Sequence, residues 1–332
     1  MHKRLVNHCT IDLNIIPDGP ILIKSGKEGA DPTNPDMEFV RTFHQNRWSI
    51  YLPGSSLKGA IRAHAERIVR TVGSETNPND KTNLWANDIL NDSYSYLKVN
   101  NNKFLPPHEI YKKSSFTDQM FGNIAIASRI RIEDAHPVDK KELHIEERNG
   151  VAIDRVFGSV AVGPFNYQVC TAGEFQTKIH LKNFTLAQLG LIGLVLRDLN
   201  DGWFGLGFAK SRGLGTVKIK YNSAKIQYPG CVIDEENKQI QLLGSDKQWD
   251  WNYLLGVREF ISESEAEKYG FPRPNKKETP VHDKQDSPVR AEPMDLGFGV
   301  QMKWEGDTEA GVQDLFMRAV RSWGEILGCT TS

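Results

Sequence analysis

The chain has 332 residues, 39% of them hydrophobic, with Trp, Phe and Tyr spread along most of its length. That is enough to bury a core for one large domain or two ordinary ones, which excludes a disordered chain, and no apolar run approaches the roughly 18–20 residues of a membrane-spanning helix. The net charge of −1 decides nothing about nucleic acid, because residues 1–224 hold 28 Lys and Arg against 23 Asp and Glu (+5) and residues 225–332 hold 13 against 19 (−6); a local stripe of charge matters more than the total.

In chain order, Met1 to His8 is basic, but Asn7, His8, Thr10 and Asp12 interrupt any apolar signal region, so no secretory leader is expected. Residues 4–16 alternate imperfectly between apolar and polar, as a half-buried strand does. Residues 18–38, rich in Asp, Gly, Pro and Asn, read as a loop. A short apolar run, Trp48 to Leu52, leads into Pro53-Gly54-Ser55-Ser56, where Ser55 or Ser56 is expected to cap a helix continuing to Arg70 with Leu57, Ile61, Ala65 and Ile68 on one face. Residues 73–115 read as a polar insertion. Ile124–Ile132, the region of Phe165–Val169 and Glu174–Leu181 read as strands, and Thr185 caps an apolar helix over Leu186–Leu199.

A glycine-rich turn then precedes a strand ending at Tyr221, so residues 1–224 describe a mixed α+β domain. Beyond it, residues 226–262 hold short strand-like pieces and 263–292 resemble a charged linker. Thr308–Leu327 forms an amphipathic helix, whose apolar face would pack on the core or dock on a neighbouring subunit. Cys9, Cys170, Cys231 and Cys329 lie far apart with no CxxC spacing; they read as reduced thiols of a cytoplasmic protein, and no zinc site is expected.

Two constellations carry chemistry. Leu52-Pro-Gly-Ser-Ser-Leu-Lys-Gly59 combines two hydroxyls, helix N-terminal N–H groups, Lys58 and Arg62, a natural seat for phosphate, and it lacks the P-loop spacing that nucleotide hydrolysis would need. Gly205-Leu-Gly-Phe-Ala-Lys-Ser-Arg-Gly-Leu-Gly215 frames Lys210, Ser211 and Arg212 with four glycines that permit close backbone approach. Each has a plain alternative, a capped helix and a glycine-rich hairpin. Together they describe a cleft lined with anion-binding groups.

Pro53–Gly59, the Phe121-Gly-Asn to Arg131-Ile-Glu-Asp-Ala135 segment, Ile153-Asp-Arg-Val-Phe-Gly-Ser-Val-Ala161 and Lys210–Gly215 occur in this order in one family. The chain resembles the CRISPR-associated RAMP superfamily, in particular the backbone subunit of type III (III-D-like) effector complexes, over about residues 1–224. The resemblance implies a ferredoxin-like, RRM-type core with an inserted lid and a β-hairpin thumb. It nominates Ser55, Ser56, Lys58, Arg62, Lys210, Ser211 and Arg212 for the guide RNA backbone. The thumb would arise near 154–164, with Arg155 and Phe157 at a base step; core packing is the other reading of Phe157. Relatives that cut target RNA use a loop aspartate with a divalent metal, Mg²⁺ or Mn²⁺, which points to Asp36 as catalytic residue and metal ligand, with Asp31 as second choice. The implied partners are CRISPR guide RNA, single-stranded target RNA and the other effector subunits. Three alternatives stay open: a non-cleaving end-capping subunit, a metal-independent guide-processing endoribonuclease using His44 or His64, and an RNA-free interaction protein. The insertion and the long C-terminal extension exceed a minimal backbone subunit.

Overall fold

The computed structural model describes residues 4–26, 35–73, 84–87, 94–99, 103–271 and 282–327. In chain order the principal elements begin with β1 (His8–Pro17), β2 (Arg41–His44), β3 (Arg47–Ile50), α1 (Gly54–Val72), α2 (Pro107–Lys113) and α3 (Phe116–Phe121). There follow β4 (Ile130–Ile132), β5 (His136–Pro137), β6 (His144–Ile153), β7 (Val160–Ala172), β8 (Phe175–Lys182), α4 (Leu186–Asn200) and β9 (Val217–Tyr228). The remainder holds β10 (Cys231–Asp234), β11 (Gln239–Leu242), β12 (Gln248–Asp250), β13 (Tyr253–Leu255), α5 (Glu263–Tyr269), β14 (Lys284–Asp286), β15 (Glu292–Pro293), β16 (Val300–Glu305) and α6 (Val312–Ile326).

The main sheet runs β15-β16-β9-β1-β8-β4, with β5 also on β8, and every pair in it is antiparallel. Counting only the strands that alternate with α1 and α4, the chain is β-α-β-β-α-β with spatial order 4-1-3-2. This is the ferredoxin-like arrangement. Period-2 patterning builds it: Cys9, Ile11, Leu13 and Ile15 of β1, and Phe175, Ile179 and Leu181 of β8, are buried, while His8, Thr10, Lys178 and Lys182 lie on the other face. Thr185 starts α4 with a full capping box: its hydroxyl accepts from Gln188 N–H at 3.2 Å and its own N–H donates to Gln188 Oε1 at 3.1 Å.

Several boundaries differ from the sequence reading. The proposed limit at 224 falls inside β9, and the segment after it completes the domain. β16 pairs with β9, and α6 lies against α4, so its apolar face packs on the core. Two glycines of α4 allow that approach. A Cβ at Gly190 would stand 2.5 Å from the Ala319 carbonyl oxygen, and one at Gly193 would stand 2.7 Å from the Phe316 ring.

The described parts of the expected linker 263–292 are α5, β14 and β15. The insertion contributes a small second core in which Leu97, Ile110 and Tyr111 pack with Val257, Ile261, Ala266 and Phe271, so insertion and extension bury each other. The strand expected over 124–132 shortens to β4. Gly122 takes a left-handed φ of 87°, and the Asn123 side chain accepts from the N–H groups of Ala125 and Ile126, which turns the chain at 123–126.

Candidate nucleic-acid interface

Strand direction gathers three loops at one end of the sheet. The register pairs Ile15 with Phe175 and Pro17 with Val217, so β1 ends where β8 and β9 begin. The turn that starts α1, the hairpin before β8 and the glycine-rich loop before β9 therefore open at the same end.

At the first of these, the expected serine cap is not formed. Pro53, in extended conformation, occupies the N-cap position, and Ser55 and Ser56 lie exposed in the first helical turn. The Gly54 N–H is satisfied from 80 residues away, by Asp134 Oδ1 at 2.7 Å, and a Cβ at Gly54 would stand 2.3 Å from the Ile132 carbonyl oxygen. Glycine is needed there for close approach, and the Ile-Glu-Asp segment supplies the cap. The N–H groups and hydroxyls of Ser55 and Ser56 remain directed to the outside. Lys58 Nζ donates to Ser128 Oγ at 2.7 Å, and burial beside Arg62 lowers its pKa. Arg62 is largely occupied inside the protein: it donates to Glu66 Oε1, the Gly122 carbonyl and Asp118 Oδ1 at 2.8, 3.0 and 2.8 Å.

The glycine-rich loop is pinned to the segment following β1. Phe208 N–H donates to the Leu22 carbonyl at 2.7 Å, and Gly215 N–H to the Pro20 carbonyl at 2.8 Å. Gly207 and Gly215, at φ of 78° and 93°, would each place a Cβ 2.2 Å from a backbone oxygen, of Leu22 and Leu206 respectively, so only glycine serves. Lys210, Ser211 and Arg212 form an exposed 3₁₀ turn between the left-handed residues Ala209 and Gly213. Two residues outside the sequence reading join them. The Arg212 guanidinium lies 5.2 Å, and Lys24 Nζ 5.1 Å, from the centroid of the Phe208 ring. Lys24 stands in an irregular loop far from Arg212 in sequence; the Lys-Ser-Gly before the Asp- and Pro-rich stretch is its only sequence cue.

The hairpin before β8 is longer than expected: β6 and β7 form a two-stranded ribbon over 144–172, and 154–159 is its tip rather than its root. At the tip Asp154 Oδ1 accepts from Val156 N–H and Phe157 N–H, at 2.7 and 2.9 Å, and these bonds hold its pKa below the usual carboxylate value. Val156 and Phe157 are 83% and 84% exposed, so Phe157 is no core residue; Arg155 is exposed beside them.

Asp36 sits beside the middle of the ribbon. Its Oδ2 accepts from Asn166 N–H at 2.8 Å, and Met37 pairs with Tyr167. Its other oxygen has no partner among the described residues. Asp31 lies outside them. Among the described residues no three His, Cys, Asp or Glu side chains are grouped to hold a metal ion. Asp36 can offer one carboxylate to Mg²⁺ or Mn²⁺, whose remaining ligands would be phosphate oxygens and water, a common mode for Mg²⁺.

One end of a ferredoxin-like sheet thus carries a helix N-terminus, a glycine-framed basic turn and a projecting hairpin. A family model described as the RAMP superfamily matches residues 17–218, more than half of the chain. The chain belongs to the RAMP superfamily. Its coarse role follows as CRISPR-associated RNA binding, in a group of proteins that bind CRISPR RNA and work in multi-subunit complexes. No curated protein matches the chain. Among the described residues, no helix is long and apolar enough to cross a membrane.

The open face of this RAMP sheet carries no Phe, Tyr or Trp, and its cations are mostly matched: Lys178 with Asp12, Lys220 with Glu174, Arg131 with Glu133 and Lys303 with Glu292. On it lie the half-buried imidazoles of His8 and His180, with centroids 5.7 Å apart. Of the two histidines weighed for acid–base work, His64 is buried, with Nε2 2.8 Å from Asp198 Oδ2 and its ring 4.3 Å from that of Phe204, so it cannot reach RNA. His44 stacks on His136 at 3.8 Å. Burial, with His44 next in weight, lowers the pKa of His136.

Proposed function

We propose that this RAMP protein is a guide-RNA-binding backbone subunit of a type III CRISPR effector ribonucleoprotein. The single observation that carries this reading is the pair of cations gathered on the Phe208 ring. Lys24 and Arg212 come from separate segments and have no acidic partner among the described residues. Two like charges on one ring repel, and a phosphate between them would relieve that repulsion. The exposed N–H groups of Ser55 and Ser56, with Lys58, would take a further phosphate at the same end of the sheet. Contacts of this kind recognise backbone and carry no sequence information.

The projecting hairpin supports a wedge role for Phe157 and Val156. A large apolar side chain held in water at an ordered tip is suited to separating a base step, which costs a few kcal/mol. Asp36, with one carboxylate oxygen free of partners among the described residues, would assist cleavage of a target strand by holding a divalent ion or orienting a 2′-OH. That no group of three ligating side chains gathers around it among the described residues supports a second reading, a subunit that binds without cutting.

The experiment is co-purification of the chain with the products of neighbouring genes, sequencing of the bound RNA, and a target-cleavage assay with and without EDTA. A recurring guide-derived RNA population is expected; absence of bound RNA refutes the reading. Asp36→Ala should abolish EDTA-sensitive cleavage while leaving assembly intact. Continued cutting by the assembled variant removes Asp36 from the role.

A further inference from the structure

The β2–β3 hairpin, between Asp36 and the Pro53 turn, leaves two large rings in water. Phe43 and Trp48 face each other across it, 58% and 69% exposed, with ring centroids 5.9 Å apart in an edge arrangement. Burying side chains of this size stabilises by about 1.5–3 kcal/mol each, and here that gain is forgone. The hairpin is nonetheless well fixed. Gln45 and Asn46, at φ of 50° and 61°, form a two-residue turn of the kind that matches strand twist. At its root Ile50 is buried and Leu52 pairs with Ala135, and near its tip Lys140 Nζ donates to the His44 carbonyl at 2.7 Å. His44 stacks on His136, which is itself 5.9 Å from the Tyr51 ring, so the strands are braced from the other side.

Charge around the rings selects the occupant. Arg41 shares the ring face of the hairpin, whereas Arg47, opposite His44, lies on the other face near the tip; both are exposed, and neither has an acidic partner among the described residues. Aromatic faces flanked by an unpaired arginine suit single-stranded nucleic acid, in which each base brings a π-face and each linkage a phosphate. The open sheet face, where an RRM-type fold would stack bases, has no Phe, Tyr or Trp, and the imidazoles of His8 and His180 on it are half-buried.

We propose that the Phe43–Trp48 hairpin is a base-stacking platform for single-stranded RNA, with Arg41 on an adjoining phosphate. This rests on the RNA-binding reading above and adds a second, stacking contact to the phosphate seats. It acts on whichever RNA strand passes the hairpin without sequence choice.

The test measures binding of the full-length chain to an oligoadenylate and to an abasic ribose-phosphate oligomer of equal length, across a salt series. The wild type should prefer the base-bearing oligomer. Phe43→Ala/Trp48→Ala should lose about 5- to 150-fold for oligoadenylate, the range of one stacked base, with little change for the abasic oligomer and the same salt slope. Trp48→Phe should retain most of the preference. Arg41→Ala should flatten the salt slope by about 0.7 and weaken both oligomers alike. If the aromatic variant binds both oligomers as the wild type does, while Lys210→Ala/Arg212→Ala still loses affinity, the platform is refuted, the RNA-binding reading stands, and the rings are left to a protein partner. If the wild type binds neither oligomer, both readings fail.

Discussion

Replacing Lys210 and Arg212 together with Ala tests the phosphate reading most directly. Both side chains are exposed, neither has an acidic partner among the described residues, and Arg212 is held against Phe208. Neither therefore has to release a protein carboxylate before meeting RNA. Each phosphate neutralised on a single strand contributes about 0.7 to the slope of log affinity against log salt, so two contacts contribute about 1.4. At 0.1 M salt that is roughly a 25-fold loss of affinity, or about 1.9 kcal/mol, shrinking toward nothing as salt approaches 1 M. Fluorescence polarisation with several unrelated RNA sequences reads both quantities. All sequences should weaken by the same factor, because the contacts are to backbone. A slope equal to wild type would refute phosphate contact at this turn, and a loss confined to one sequence would refute backbone recognition.

Three other perturbations separate folding from binding. Gly190→Ala gains about 1 kcal/mol of helix propensity but forces a Cβ against the Ala319 carbonyl, an overpacking that costs about 1–3 kcal/mol. A fall in Tm of several degrees is expected, and an unchanged Tm would mean that α6 does not dock on α4 in solution. Asp118 is fully buried, its Oδ2 lacks a partner, and burial pushes its pKa up to about 6 from 3.8. The folded state then holds a proton that the unfolded state has released, so this group lowers stability as pH rises from about 4 to 6, by about 3 kcal/mol in all. Urea unfolding of Asp118→Asn should show a shallower decline over that window; an identical pH profile would contradict the shift. Phe157→Ala should leave stability within about 0.5 kcal/mol, as befits an exposed tip. It should also reduce the fluorescence of a 2-aminopurine placed at the displaced step of a guide–target duplex, and full fluorescence in the variant would dismiss the wedge.

Local signals carried much of the fold. Thr185 with Gln188 three residues on, the apolar positions of α6 and the glycines at 205, 207, 213 and 215 each announce their structure within a few residues. The hairpin at 144–172 was less legible for a physical reason. A ribbon standing in solvent has no buried face: β6 alternates only between exposed and half-buried, and its sequence carries no apolar period to separate root from tip. The helix cap was misplaced because its acceptor, Asp134, belongs to another segment, while two serines at the expected position looked sufficient. The site was half legible: Lys210 and Arg212 were framed by glycines, but Lys24 and Phe208 join them only through tertiary pairing of Leu22 with the loop. His64 looked available on a helix flank, and Asp198 on a different helix buries it.

The near-zero net charge ceases to be an objection once pairing is taken into account. On the open sheet face Lys178, Lys220, Arg131 and Lys303 stand within 4 Å of carboxylates. Such exposed pairs are worth only about 0–1 kcal/mol, but a phosphate arriving there would meet the acid as well as the base. At the loop end Lys24, Lys210 and Arg212, with Arg41 and Arg47 on the neighbouring hairpin, have no such neighbours among the described residues. A polyanion samples the local potential within a Debye length of about 10 Å at 0.1 M salt, not the sum over the chain. The same complement of charges that leaves the protein almost neutral overall therefore leaves cations without carboxylate partners among the described residues at one end of the sheet, the end to which the ferredoxin-like topology brings its loops.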